Sequence, residues 1–311
     1  MSVAVVVATV HRPDDVAVAL DAVLAGDPPP AEVHVLDQSD DDRTRAVLAP
    51  YAARGAIVSR LSPPGLSRAL NAGIGRASTE LVAITGDDCV ARPDWLAAIE
   101  RAFAADPRLA ILFGQVASGP CDPAVGFVPG CRIEAEVALD RLRDVGRLNG
   151  TTACMAVRRE AWLALGGFDE QLGLGAPLRS GEDLDLALRA LAAGWRVLQT
   201  PAVEVEHLTP VPWAGRARVV RRNWHGSGAA FAKSQARAGR DGAGAARARR
   251  PLGSGGSGVA VTYGVRPHRS AMLVGLPAAS SSGSSAPSAA AAAASAGCRC
   301  AGESARSVHR A

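Results

Sequence analysis

No apolar run of about 18 residues occurs in this 311-residue chain, so no segment is expected to cross a bilayer as a helix. The apolar stretch at residues 3–10 is too short for that, and it lacks the charged lead of a signal peptide. Aromatics are scarce at 4%, and Lys233 is the only lysine, which leaves arginine to carry nearly all the positive charge. The six cysteines (Cys89, Cys121, Cys131, Cys154, Cys298 and Cys300) form no paired CxxC pattern. Their spacing excludes a zinc ribbon and a small disulfide scaffold, and makes a reduced, cytosolic compartment the expectation.

What is present is a core and an uneven charge. Apolar residues reach 48%, enough for a substantial interior. Residues 236–311 hold ten Arg against Asp241 and Glu303, so 10 − 2 gives +8. Residues 1–235 hold 24 basic and 28 acidic side chains, and 24 − 28 gives −4. A mildly acidic body argues against nucleic acid as a partner, because such binding needs a basic patch on the folded part.

Short apolar runs alternate with helical patterns through the first third. VAVVVAT at 3–9 reads as a strand buried on both faces, and Asp14 and Asp15 open a helix. Further strands are expected at 32–37, 57–61, 81–85 and 110–114, with helices at 66–76 and 93–105. Strand and helix in turn imply an α/β fold with right-handed crossovers and a mainly parallel sheet. Residues 151–157 read as another strand, 159–165 and 182–193 as helices, and 196–199 and 202–206 as two more strands. A glycine-rich loop fills 166–181, and a basic helix with a glycine interruption covers 213–234. From 236 onward Gly, Ala, Ser and Arg dominate, and a disordered C-terminal tail is expected.

Ligands of a parallel sheet bind beyond the carboxyl ends of its strands. Residues 9–12, 37–42 and 86–88 all follow strands and should meet at one edge. An Asp after a strand is usually a turn residue, but three polar strand ends converging make a site. The adjacent Asp87 and Asp88 repel each other unless a cation intervenes. Hard oxygen ligands of this kind suit Mg2+ or Mn2+, with substrate phosphate oxygens completing the shell. Glu182 and Asp183 open a helix, where acids also serve as caps, and His207 closes the strand VEVEH.

In order along the chain stand Asp37, SRALNAGI (67–74), GDDC (86–89) with PDWL (93–96), GGFDE (166–170), GED (181–183) and His207. This series resembles family 2 glycosyltransferases over about residues 3–235, with roughly 1–114 as a nucleotide-binding half and 115–235 as an acceptor half. The resemblance implies a GT-A fold, a Rossmann-like mixed sheet flanked by helices. It also implies that Asp37 and the loop carrying Thr9, His11 and Arg12 line the nucleobase, and that Arg68 approaches the nucleotide. Asp87 then lies near ribose and diphosphate, Asp88 on a divalent metal with His207, and Asp183 is the catalytic base beside Glu182. Many relatives carry three successive acids where this chain has Gly86, Asp87 and Asp88.

The activity implied is inverting transfer of a sugar from a nucleoside diphosphate to a hydroxyl of a saccharide or lipid-linked acceptor. Polysaccharide, cell-envelope or glycoconjugate synthesis is the expected setting. Trp213, Trp224 and the arginines at 216–222 read first as a solvated face, with an acceptor-facing helix or peripheral contact with the inner face of a membrane as the alternative. A nucleotidyltransferase is the alternative enzyme, but ATVHRPDD lacks the glycines such enzymes place after the first strand. A non-catalytic nucleotide-sugar-binding module would not need the Glu182–Asp183 pair. GIGRAS (73–78) lies in a helical stretch without the final glycine of a dinucleotide motif.

Overall fold

The computed structural model describes residues 1–245, with side chains defined to Arg237. The first half runs β1 (Val3–Thr9), α1 (Pro13–Leu24), β2 (Glu32–Asp37), α2 (Arg43–Ala53), β3 (Ile57–Arg60), α3 (Leu66–Arg76), β4 (Leu81–Gly86), β5 (Cys89–Ala91) and α4 (Trp95–Ala105). The second runs β6 (Leu109–Ser118), β7 (Gly126–Phe127), β8 (Val137–Leu139), β9 (Cys154–Arg158), α5 (Arg159–Ala164), α6 (Glu182–Ala192), β10 (Arg196–His207), β11 (Val211–Pro212) and α7 (Arg216–Ala245).

One sheet carries the order β3-β2-β1-β4-β9-β6-β10-β5, with β8 on β10. The pairs β1–β2, β1–β4, β2–β3 and β6–β10 are parallel, whereas β9 runs against both its neighbours. The carboxyl ends of β1, β2, β4, β6 and β10 therefore share one edge, and β9 begins there.

Alternation sends successive side chains to opposite faces. Val3, Val5 and Val7 join the layer of α1, α2 and α4, packed with Leu20, Ile99 and Phe103. Ala4 and Val6 face the other layer, where α3, α5 and α6 bury Leu70, Ile74, Ala161, Leu184 and Leu188 with Phe113. Gly73 of GIGRAS serves this packing, since a Cβ there would fall 2.6 Å from the Val6 side chain.

Three sequence expectations change. The two short strands at 196–199 and 202–206 are one strand, β10, whose pairing with β6 shifts register between Thr200 and Glu204. Helix α2, not anticipated from the sequence, buries one face at Thr44, Leu48 and Tyr51, but a polar residue in that face, apolar residues off it and an internal Pro50 blur the period. The basic helix is continuous through its glycines and runs past Gln235 to Ala245. The tail read as disordered lies, from residue 246, outside the described residues.

Candidate active site

The GDD turn is positioned by strand pairing on both sides of it. β4 delivers Gly86 at the centre of the sheet, and β5 then pairs antiparallel with β10, setting Cys89 opposite His207. The Leu208 N–H donates to the Asp88 carbonyl at 2.9 Å, which completes the crossing. Asp88 Oδ2 consequently lies 3.1 Å from His207 Nε2, although 119 residues separate them.

On its other side the His207 ring is fixed by backbone. Nδ1 sits 2.7 Å from the Pro129 carbonyl oxygen, which can only accept, so Nδ1 carries the hydrogen and Nε2 faces Asp88. Adjacent ligands of a six-coordinate cation at about 2.1 Å stand about 3 Å apart. Asp88 and His207 thus have the spacing and donor types to share one divalent metal, and a ring held through its other nitrogen is the usual support for such a ligand. Burial opposes charge on His207, but the Asp88 carboxylate outweighs it and raises the imidazole pKa. Burial likewise works against the Asp88 charge, yet His207 and Arg12 hold its pKa far below the ordinary carboxylate range.

The cation between the two adjacent acids is Arg12. Its guanidinium leaves the β1–α1 turn and bonds Asp87 Oδ1 at 3.2 Å and Asp88 Oδ2. The sequence reading had given Arg12 only the nucleobase. Burial nonetheless raises the Asp87 carboxyl to about 6, against the opposing pull of Arg12. Thr9, buried at the end of β1, turns its hydroxyl toward Asp87.

Asp37 ends β2 at 2% exposure, and its Oδ1 accepts the Ser39 N–H at 2.9 Å. Ser39 Oγ accepts the His11 N–H, so the turns after β1 and β2 are tied together. His11, at φ 54°, places its ring within 3.5 Å of Asp40 and Asp41, a largely exposed cluster of one imidazole and two carboxylates on the rim. Arg68 is half-buried at the start of α3 and pairs with Glu170 at 3.3 Å. Asn71, one turn further, clamps the Phe168 backbone through bonds of 2.8 and 2.9 Å. SRALN and GGFDE, separate in sequence, are therefore two halves of one contact.

The Glu182–Asp183 pair reaches the same edge from α6. Thr85 pairs with Cys154 where β9 begins, so Thr152, two residues earlier, lies at that same edge. The Thr152 hydroxyl donates to Glu182 Oε1 at 3.1 Å, and its backbone amide faces Asp183. Burial, and then the Glu182 charge, raises the Asp183 carboxyl to about 8; burial raises that of Glu182. Burial and then Asp183 also raise the Cys131 thiol to about 12, and Cys131 lies two residues from the Pro129 that holds His207.

Gly181, at φ 89°, forms the left-handed lead into α6. A Cβ on Gly181 would fall 2.5 Å from the Gly226 carbonyl, and one on Gly226 would fall 2.3 Å from that of Ser180. The glycine interruption in α7 is thus the face that seats the acid-bearing loop. Lys233 and Arg237 hold α7 down on Asp169 and Asp185, and Asp185 is fully buried and shared with Arg189. Sequence reasoning missed Thr152, which carried no signal; it had placed Arg222 in the basic run of this helix and Gly226 in its glycine interruption, without linking either to the acid pair.

A mixed sheet whose carboxyl edge gathers paired acids, a histidine and a second acid pair is the GT-A glycosyltransferase architecture. The mannosyltransferase PcManGT of Pyrobaculum calidifontis, solved with GDP-Man and Mn2+, superposes with a TM-score of 0.51 at 22% identity. S. aureus TarS (1-349) superposes at 0.54 with 19% identity. The alignments cover 71% and 67% of this chain and 60% of each of those, and at these identities the likeness concerns the fold. A glycosyltransferase of Mycobacterium tuberculosis (strain ATCC 25618 / H37Rv) is 30% identical over 188 residues, 58% of this chain and 76% of that protein. The profile described as Glycosyltransferase like family 2 matches residues 1–226, and the chain belongs to that family.

Proposed function

We propose that this glycosyltransferase moves a sugar from a nucleoside diphosphate to an acceptor hydroxyl, with inversion, and that Asp183 is the base. The observation that supports the reading is that β5–β10 pairing sets Asp88 beside His207, while Thr152, just ahead of β9 on the same edge, holds Glu182 and faces Asp183. Asp88 and His207 would hold a divalent metal, Mn2+ or Mg2+, which when bound supplies positive charge to the departing diphosphate. Asp37, Thr9 and His11 would line the base of the donor, with Arg68 on the nucleotide.

Asp87 would hold the ribose side of the donor, with Arg12 fixing its carboxylate. Asp183 takes the acceptor proton. Its raised pKa makes its carboxylate a stronger base than a solvated aspartate, which suits that role. Glu182, held by Thr152, orients the loop and keeps a second negative charge beside it. A single displacement with a single base inverts the anomeric carbon.

The test is hydrolysis or transfer of UDP- and GDP-sugars with and without Mn2+, following the anomeric product by NMR. Metal-dependent turnover with an inverted product supports the reading; turnover insensitive to Asp183→Asn removes the base. The PcManGT complex with GDP-Man and Mn2+ makes GDP-mannose a natural first donor.

A further inference from the structure

An open groove of about 480 Å³ lies on the Glu182 side of the site rather than over Asp88. Its walls are Leu174, Gly175, Ala176, Pro177 and Arg179 of the glycine-rich loop, and Arg222 of α7. Two arginines face it, and no acid lines it. Arg179 is exposed at φ 63°, and neither it nor Arg222 forms an ion pair among the described residues. Arg222 is half-buried, and its Nε donates to Asn223 Oδ1 at 3.2 Å.

The charges here do not serve the fold. Arg216 and Arg218 occupy the first turn of α7, where the helix dipole disfavours cations. No acid occurs between Arg216 and Arg237 to offset them. Burial weakens the Arg222 guanidinium's hold on its proton; Glu182 supports that charge and Arg218 opposes it. Guanidinium groups around a cavity with no carboxylate in direct contact present bidentate donors to a carboxylate or phosphate.

Position selects which substrate would bring that anion. The donor diphosphate belongs at the Asp88–His207 end with Arg12, whereas Arg222 stands near Glu182, on the side of the base. Gly173, which leads into the cavity wall, lies close to the Glu182 carboxylate, as a Cβ there would come within 3.4 Å of Oε2. What lies beside the base is the acceptor. Resting on the glycosyl-transfer reading, we propose that Arg179 and Arg222 form an acceptor subsite for an anionic group, a phosphate or carboxylate placed next to the attacked hydroxyl.

The full chain, loaded with Mn2+ and a nucleoside diphosphate that it binds, is titrated with glucose 6-phosphate, glycerol 3-phosphate and glucuronate, against glucose and glycerol. At least one anion should bind about tenfold tighter than its neutral counterpart, the worth of one charge-assisted contact. Phosphate and carboxylate arms tell the two sources apart. Arg222→Gln and, separately, the exposed Arg179→Gln should each remove that preference while nucleoside diphosphate affinity stays within about twofold. Equal binding of neutral and anionic probes, no binding of either, or a matching loss of nucleoside diphosphate affinity overturns the subsite. Failure of the wild type to bind any nucleoside diphosphate instead overturns the glycosyl-transfer reading.

Discussion

At the scale of single residues, the acid pair that would do the chemistry is a liability to the resting fold. A carboxyl whose folded-state pKa lies above its unfolded value favours folding at low pH, and that contribution vanishes as pH climbs through the folded value. Glu182 and Asp183 are of this kind, raised by burial. Asp183→Asn should lower transfer by about 10²–10⁴. The same change should raise the metal-free Tm at pH 8 by roughly 2–4 °C, the effect of about 1 kcal/mol in a domain of this size, and leave it unchanged near pH 4. Thermal unfolding of both proteins across that range checks it. Arg12→Gln leaves Asp87 and Asp88 facing each other without their cation. A loss of about 1 kcal/mol is expected, between exposed and buried pairs, and added Mn2+ should narrow it in the same melt. The acids and His207 were legible because each ends a strand or opens a helix. Pro129 was not, since it acts through a carbonyl that any residue possesses.

The elements most easily read from sequence were the unbroken apolar runs of β1 and β4 and the helical periods of α3 and α6. Register was not readable, and register is what brings Asp88 to His207. The bulge that fuses two apparent strands into β10 is invisible in a pattern that breaks at Pro201. Helix α7 offers a matched pair of glycines for test. Gly226→Ala drives a methyl against the Ser180 backbone and should cut transfer at least about tenfold by displacing the Glu182 loop, the scale on which misplaced groups lower rates. Gly228 has open space around its Cβ position, so Gly228→Ala should add up to about 1 kcal/mol of stability from helix propensity alone. Urea denaturation with parallel rate measurements separates these outcomes.

For the whole molecule, the order of motifs carried both the fold class and the family, because a sheet of this type admits few other arrangements of strand ends. Chain extent was less legible: composition turns to Gly, Ala, Ser and Arg at about 236, yet α7 runs through that change to Ala245. A chain ending at Ala245 contains both core layers and every proposed site residue. It is expected to keep nucleoside diphosphate affinity within about twofold of the full chain, measured by calorimetry. The bond between α7 and Asp169 has a practical consequence. Lys233, the only lysine, lies 2.5 Å from Asp169 Oδ2. An amine-directed acylating reagent has one side-chain target in this protein, and that target is occupied whenever the helix is seated. Its labelling rate is thus a built-in gauge of how often the roof over the acid pair lifts.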